Sequence, residues 1–162
     1  NDRLAPALGL APNEIGFENH VPTVFSAGVP FTFVPVRNLE VIGRAMPVVQ
    51  YWEEAVGSSD APHAFLYCRE TIHNDAIFHA RMFAPLMGIN EDPATGAAAS
   101  AFASVVTRFD DPPDGSHTGF VEQGYEMGRP SDIYLDLEIE GGVLKKVRIG
   151  GQAVPITEGV LK

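Results

Sequence analysis

Glu91-Asp92-Pro93-Ala94-Thr95-Gly96-Ala97-Ala98-Ala99-Ser100-Ala101-Phe102-Ala103-Ser104-Val105-Val106 is the stretch whose reading decides the fold. From Ala94 to about Arg108 it predicts a helix that is small or apolar on every face. A surface helix keeps a polar side, so this one has to be surrounded by protein, with near-complete burial along Ala97 to Val106. At about 15 residues it falls short of the roughly 20 that a bilayer span needs. Its small side chains suit a helix packed tightly inside a curved sheet.

Downstream, Arg108-Phe109-Asp110-Asp111-Pro112-Pro113-Asp114-Gly115 ends the helix in an acidic loop, and the remainder reads as β. Ile133, Leu135, Leu137 and Ile139 alternate with Tyr134, Asp136, Glu138 and Glu140, giving one buried and one wet face. Gly141-Gly142 marks a hairpin. A three-residue loop, Glu140-Gly141-Gly142, pairs Ile139 with Val143, Leu135 with Val147 and Ile133 with Ile149. A two-residue loop sets Leu135 against Arg148, so register favours the longer one. A last strand is predicted at Ala153-Val154-Pro155-Ile156.

Upstream, Leu4 to Leu10 reads as a short helix. Thr23-Val24-Phe25-Ser26 and Phe31 to Val36 are β-rich runs on either side of Ala27-Gly28-Val29-Pro30. Leu39, Ile42, Met46, Val49 and Trp52 recur at helical spacing, predicting a helix from Leu39 to Val56. Ala64 to Cys68 and Ala76 to Ala84 read as two further strands. The whole is one α+β domain over residues 1–162, a strongly curved mixed sheet or barrel around one buried helix.

The composition agrees. Hydrophobic residues make up 45% and charged residues 20% of 162, as in ordinary globular proteins. A net charge of −10 argues against nucleic acid and anionic membrane surfaces as partners, since both require a basic footprint. A single cysteine, Cys68, excludes an intrachain disulfide and fits a cytoplasmic location. No basic-then-apolar leader opens the chain.

For chemistry, the start of the apolar helix is the leading candidate. Helix N-termini leave N–H groups unpaired and carry partial positive charge, which attracts carboxylates. Gly96 permits close approach to the backbone, and Asp92 is placed to hold or transfer a proton. The competing reading is structural: Asp92 as an N-cap with Pro93 in the first turn. The histidines, His20, His63, His73, His79 and His117, show no metal-ligand spacing, and His79 reads as a structural or exposed strand residue. Cys68 reads as a buried, inert thiol. Gly124 to Ser131 superficially resembles a phosphate loop but lacks its Lys-Ser/Thr, so a turn or bulge is the better reading.

Four stretches, in order, resemble one family. They are Ser26-Ala27-Gly28-Val29-Pro30; Arg81-Met82-Phe83-Ala84-Pro85 running into Gly88 to Gly96; Gln123-Gly124-Tyr125-Glu126-Met127-Gly128-Arg129-Pro130-Ser131; and Val147 to Val154. Together they resemble the C-terminal half of PhzF-like, phenazine-biosynthesis-like isomerases. The resemblance implies a diaminopimelate-epimerase-like fold: two similar domains, each a curved sheet around a helix, with the site in the cleft between them. It implies cofactor-free and metal-free proton transfer on a small carboxylate-bearing substrate. A glutamate of the N-terminal half moves the proton, with Asp92 assisting as a catalytic residue and Thr95, Gly96 and Ala97 binding substrate.

None of Glu14, Glu18, Glu40, Glu53 or Glu54 carries the family's glutamate motif, and Ala97 stands where many members have Ser. The expectation is therefore a C-terminal half that is inactive without its N-terminal partner domain and that self-associates as a homo-oligomer. The alternative is a stand-alone binding or structural module of the same fold. A cysteine-dependent racemase is opposed by the lack of any Cys near Thr95-Gly96.

Overall fold

A computed structural model describes residues 1–57 and 59–160. Ser58, Leu161 and Lys162, part of the expected 1–162 domain, lie outside the described residues. The chain opens with a short helix, α1 (Leu4–Ala7), and a hairpin of β1 (Thr23–Ser26) and β2 (Pro30–Pro35). Helices α2 (Leu39–Arg44) and α3 (Val49–Trp52) follow, then strands β3 (Ala64–Cys68), β4 (Phe78–Ala84) and β5 (Ile89–Asp92). The long helix α4 (Gly96–Phe109) leads into a meander of β6 (Gly115–Gln123), β7 (Ser131–Glu140) and β8 (Val143–Gly150). Among the described residues no helix is long and apolar enough to cross a membrane.

All eight strands form one mixed sheet in the order β1-β2-β3-β4-β6-β7-β8, with β5 also on β4. The β2–β3 and β4–β6 pairs are parallel, and the others are antiparallel. β5 and β6 share β4 between them. β5 pairs with Met82 and Ala84, and β6 pairs with Phe78, His79 and Ala80. Asp92, opposite Met82, and Gln123, opposite Ala80, are thereby brought to one place.

The sheet curls around α4, which touches β1, β2, β7 and β8. Phe102, at the middle of the helix, is fully buried in a box of Phe33, Phe65, Tyr67 and Phe78, with ring centroids 4.8–5.9 Å away. A second apolar layer lies on the other side of β2, β3 and β4, where Ala5, Leu8, Ile42, Trp52 and Val56 cover Val34, Leu66 and Phe83. With both faces covered, β3 and β4 are buried along their whole length and read as unbroken runs. β7 is covered on one face only and alternates.

Several expectations need correction. α4 begins at Gly96 rather than Ala94. Its stripe of Ala97, Ser100 and Ser104 is exposed or half-buried, while Ala98, Ala99, Ala101, Phe102, Ala103, Val105 and Val106 are buried. The sheet is not closed: β1 and β8 both touch α4 but do not pair with each other. The helix read from Leu39 to Val56 breaks at Ala45–Val48, because Pro47 cannot continue it and pushes Met46 out of the helical region. Met46 and Val49 are consequently exposed. β5 was not read as a strand, and the Ala153–Ile156 strand is absent, since residues 151–160 run exposed without sheet partners.

The β7–β8 turn is the two-residue one. Gly141 and Gly142 both have positive φ (61° and 69°), as a type I′ turn demands. A register shift after Glu138 restores apolar pairing, with Leu135 opposite Ile149 and Leu137 opposite Val147. The turn is clasped from the acidic loop, where the Asp114 carboxylate accepts the Gly141 and Gly142 N–H groups at 2.8 and 2.9 Å.

Ala101 is 2% exposed against the sheet, so Ala101→Leu is expected to destabilise the fold by about 1–3 kcal/mol through overpacking. A chemical-denaturation series checks this. An unchanged midpoint would contradict the tight seat of α4.

Candidate functional site

Asp92 ends β5 and Thr95 precedes the first turn of α4. The Asp-Pro capping arrangement does not form. The helix starts three residues beyond Pro93, and its N-cap, Thr95, makes no side-chain capping bond. The Thr95 hydroxyl instead donates to Asp92 Oδ2 at 2.7 Å. Among the described residues, the Gly96, Ala97 and Ala98 N–H groups meet no protein acceptor. A helix N-terminus left uncapped in this way is suited to an anion.

What turns Thr95 aside is Gln123, fully buried at the end of β6. Its Nε2 donates to Asp92 O at 2.6 Å and to Thr95 Oγ1 at 3.0 Å, and its Oε1 accepts the Thr95 N–H at 3.2 Å. Next along the chain, Gly124 has φ +81°, and a Cβ there would stand 2.3 Å from Arg129 O and 2.7 Å from Pro93 O. The turn that follows Gln123 therefore lies against the segment before α4, backbone to backbone.

β5 is held from β4 by Arg81. Its guanidinium donates to both Glu91 carboxylate oxygens at 2.8 and 2.7 Å. It also donates to Ile42 O and Ala45 O at the end of α2. Burying this cation is tolerable because its donors are occupied.

A cavity of about 480 Å³ opens over the start of α4, lined by Ala94, Gly96, Ser131, Asp132, Ile149 and Gly150 among others. Of the four residues singled out in the sequence, Gly96 lines it. Thr95 is buried behind it, Ala97 is exposed on the first turn, and Asp92 is half-buried beside Thr95. A Cβ on Gly96 would lie 3.1 Å from Ile149 Cδ1, so the glycine keeps this wall thin. Gln123, Ser131 and Asp132 were not assigned roles from sequence. The Gln-Gly-x-x-Met-Gly-Arg-Pro-Ser stretch carries the signal for Gln123 and Ser131, and Asp132 follows directly after it.

The other candidates settle as follows. Within the Gly124–Ser131 stretch, Tyr125 to Gly128 form a turn, in keeping with the sequence, and Ser131 opens β7. Cys68 is buried; burial, together with the carboxylates of Glu70, Glu122 and Glu126, pushes its thiol up to about 12, which leaves it unreactive. His20 closes the far end of α4, with Nδ1 3.0 Å from Tyr67 Oη and Nε2 3.1 Å from Asp110 Oδ1. His79 is wholly buried between two glutamates.

A profile of the family described as phenazine biosynthesis-like protein matches residues 2–159. An uncharacterized isomerase of Mesorhizobium japonicum is 50% identical over 161 residues, 98% of this chain and 53% of that protein. The trans-2,3-dihydro-3-hydroxyanthranilate isomerase of Pseudomonas aeruginosa is 37% identical over 82 residues, 51% of this chain and 29% of that protein. Among solved structures, a PhzF-family phenazine biosynthesis protein of Bacillus anthracis superposes with TM-score 0.75 at 22% identity, covering 91% of this chain and 54% of that one. A predicted epimerase of Pseudomonas aeruginosa gives 0.63 at 29% identity, covering 93% and 49%. The fold is the α+β, diaminopimelate-epimerase-like one. The chain spans about half the length of the curated relatives it matches.

Truncating Gln123 to Ala strands the Thr95 N–H and the Asp92 carbonyl in a buried place. The expected cost is about 2–6 kcal/mol, since each of the two orphaned groups costs about 1–3. Thermal or chemical unfolding of Gln123→Ala measures it, and a loss below about 0.5 kcal/mol would mean that water replaces the carboxamide.

Proposed function

The chain belongs to the phenazine biosynthesis-like, or PhzF, family, and on that premise we propose that it supplies the substrate-anchoring half of a cofactor-free, proton-transferring isomerase. The observation that carries this reading is the uncapped first turn of α4, where the Gly96, Ala97 and Ala98 N–H groups meet no acceptor among the described residues and Gly96 lines the cavity of about 480 Å³. A substrate carboxylate docks on these N–H groups, helped by the positive end of the α4 dipole. Anchored there, the substrate has one C–H bond broken and another formed, so atoms and electrons balance without a redox partner. A glutamate from a second body moves the proton, and Asp92, fixed by Thr95, assists at the reacting end.

Two findings support a second body over the cavity: the coverage of half of the relatives' length, and the exposure of Ile149, Val154 and Ile156 at its rim and beyond. In the intact protein that body is the N-terminal domain. Without it, two copies of this chain can cover each other as a homo-oligomer. The name of the Pseudomonas aeruginosa relative supports a small cyclic carboxylate as substrate class.

Crystals grown with 2-aminobenzoate are expected to show its carboxylate on the Gly96 and Ala97 N–H groups; a cavity that stays empty at saturating ligand refutes the anchoring role. Asp92→Asn in the intact parent protein is expected to lower turnover about 10²–10⁴-fold. Full isomerase activity from residues 1–162 alone would overturn the need for a second body.

A further inference from the structure

His79 lies on β4, fully buried, with both ring nitrogens on carboxylate oxygens. Nδ1 is 2.7 Å from Glu122 Oε1, and Nε2 is 2.9 Å from Glu126 Oε1. An ionised carboxylate only accepts, so satisfying both contacts takes two N–H donors, which is the imidazolium. Glu122 is itself buried and also accepts the Ile72 and His73 N–H groups, tying down the loop after β3. Glu126 belongs to the turn after Gly124 and reaches on toward Arg81, its Oε2 3.8 Å from Nε. Arg81 holds Glu91, the residue before Asp92. An unbroken row of alternating charge thus runs from Glu122 through His79, Glu126 and Arg81 to Glu91.

The turn bearing Glu126 packs on Pro93 through Gly124 and continues into Ser131 and Asp132, which line the cavity. We infer that His79 is a positioning residue of this site: as an imidazolium bridging Glu122 and Glu126 it holds the Gly124–Arg129 turn, and with it one wall of the cavity, in place, and it frees that wall when it loses its proton. A neutral ring has one N–H and can serve only one carboxylate. The other then faces a lone pair, and the one able to leave is Glu126, whose side chain is 19% exposed against 0% for Glu122.

The remaining groups around the ring do not take over the role. Cys68, its partner on β3, has its thiol held up in pKa and engaged by Glu70 O. Tyr125 stacks obliquely at 5.7 Å and is itself flanked by His73 and, further out, by Asp75 and Asp132. Arg81 is committed to Glu91 and α2. Burial by itself lowers the pKa of His79, but the hydrogen bonds and charges of Glu126 and Glu122 outweigh it, and the net displacement is upward. A raised folded-state pKa means that this stabilisation is complete below the unfolded value of about 6.5 and is lost as pH rises through the folded one. The wall is therefore held below that unfolded value and released as pH rises through the folded one.

The inference rests on the proposed ligand site only for its functional consequence, so the decisive test needs no ligand. Imidazole carbon–proton NMR, with the His79 signal identified by its loss in His79→Gln, follows the ring from about pH 5 to 10. Amide exchange protection factors follow Gly128 and Arg129, whose N–H groups close the turn onto Tyr125 O and Gly124 O. His79 is expected to be doubly protonated at pH 6, and the protection of both amides to fall about tenfold or more in step with its titration. Glu126→Gln, on the more exposed side and so the safer substitution for folding, is expected to bring the His79 titration down and to make the turn's protection low and indifferent to pH. A neutral His79 at pH 6, or protection that ignores its titration, overturns the inference. Binding of 2-aminobenzoate, measured over the same range, is expected to weaken along the same curve. If the turn responds but no 2-aminobenzoate binds at any pH, the substrate reading fails and the positioning role stands.

Discussion

Three hydrogen bonds from one carboxamide join the parts of this molecule that matter most. β5 and β6 divide β4 between them, and their ends arrive side by side, Asp92 opposite Met82 and Gln123 opposite Ala80. Gln123 turns that adjacency into a fixed geometry by holding the carbonyl of Asp92 and the N–H and hydroxyl of Thr95. The Thr95 hydroxyl, accepting from Gln123 and donating to Asp92, is diverted from capping its own helix. The open helix end is therefore not a defect of capping but a result of where the sheet changes partners. The same interaction that closes the structure on one side leaves it receptive on the other.

The two ends of α4 are treated in opposite ways. The C-terminal carbonyl of Phe109 accepts from Asn19 Nδ2, and Asp110 is enclosed by His20 and Arg69. Burial works against the Asp110 carboxylate, yet the bonds from His20 and Arg69 prevail and hold its pKa below the usual range. The partners at that end come from the protein itself. At the N-terminal end the donors are in place and the acceptor has to come from elsewhere. Since a helix carries partial positive charge at its N-terminus, the open end is suited to an anion even though the chain as a whole is strongly acidic.

What was legible in the sequence divides along physical lines. The buried helix was readable because thirteen residues without a wet face admit few other arrangements, though Ala97, Ser100 and Ser104 are small enough to sit either in a core or at a seam. The β7–β8 register was misread because parity alone made the short turn look wrong, and a bulge near Lys145 changes parity without leaving a mark on the pattern. The helix from Leu39 was extended through Pro47 because the apolar spacing continues across it. The family resemblance placed Asp92, Thr95, Gly96 and Ala97 near one another, but not the side on which the cavity opens. Gln123 and the His79 cluster were out of reach for a different reason: their partners lie 28 to 47 residues away, and neither periodicity nor local propensity carries information over such distances.

The seat of the Gly124 turn on Pro93 is made by main chain alone, with Arg129 O and Pro93 O filling the space where a side chain would stand. Contacts of that kind are inherited differently from contacts between side chains. A side chain at Gly124 abolishes them outright, whereas a change at a neighbouring residue reaches them only through the anchoring of the turn. Side chains lining the cavity can thus be exchanged while the main-chain frame beneath it keeps its shape.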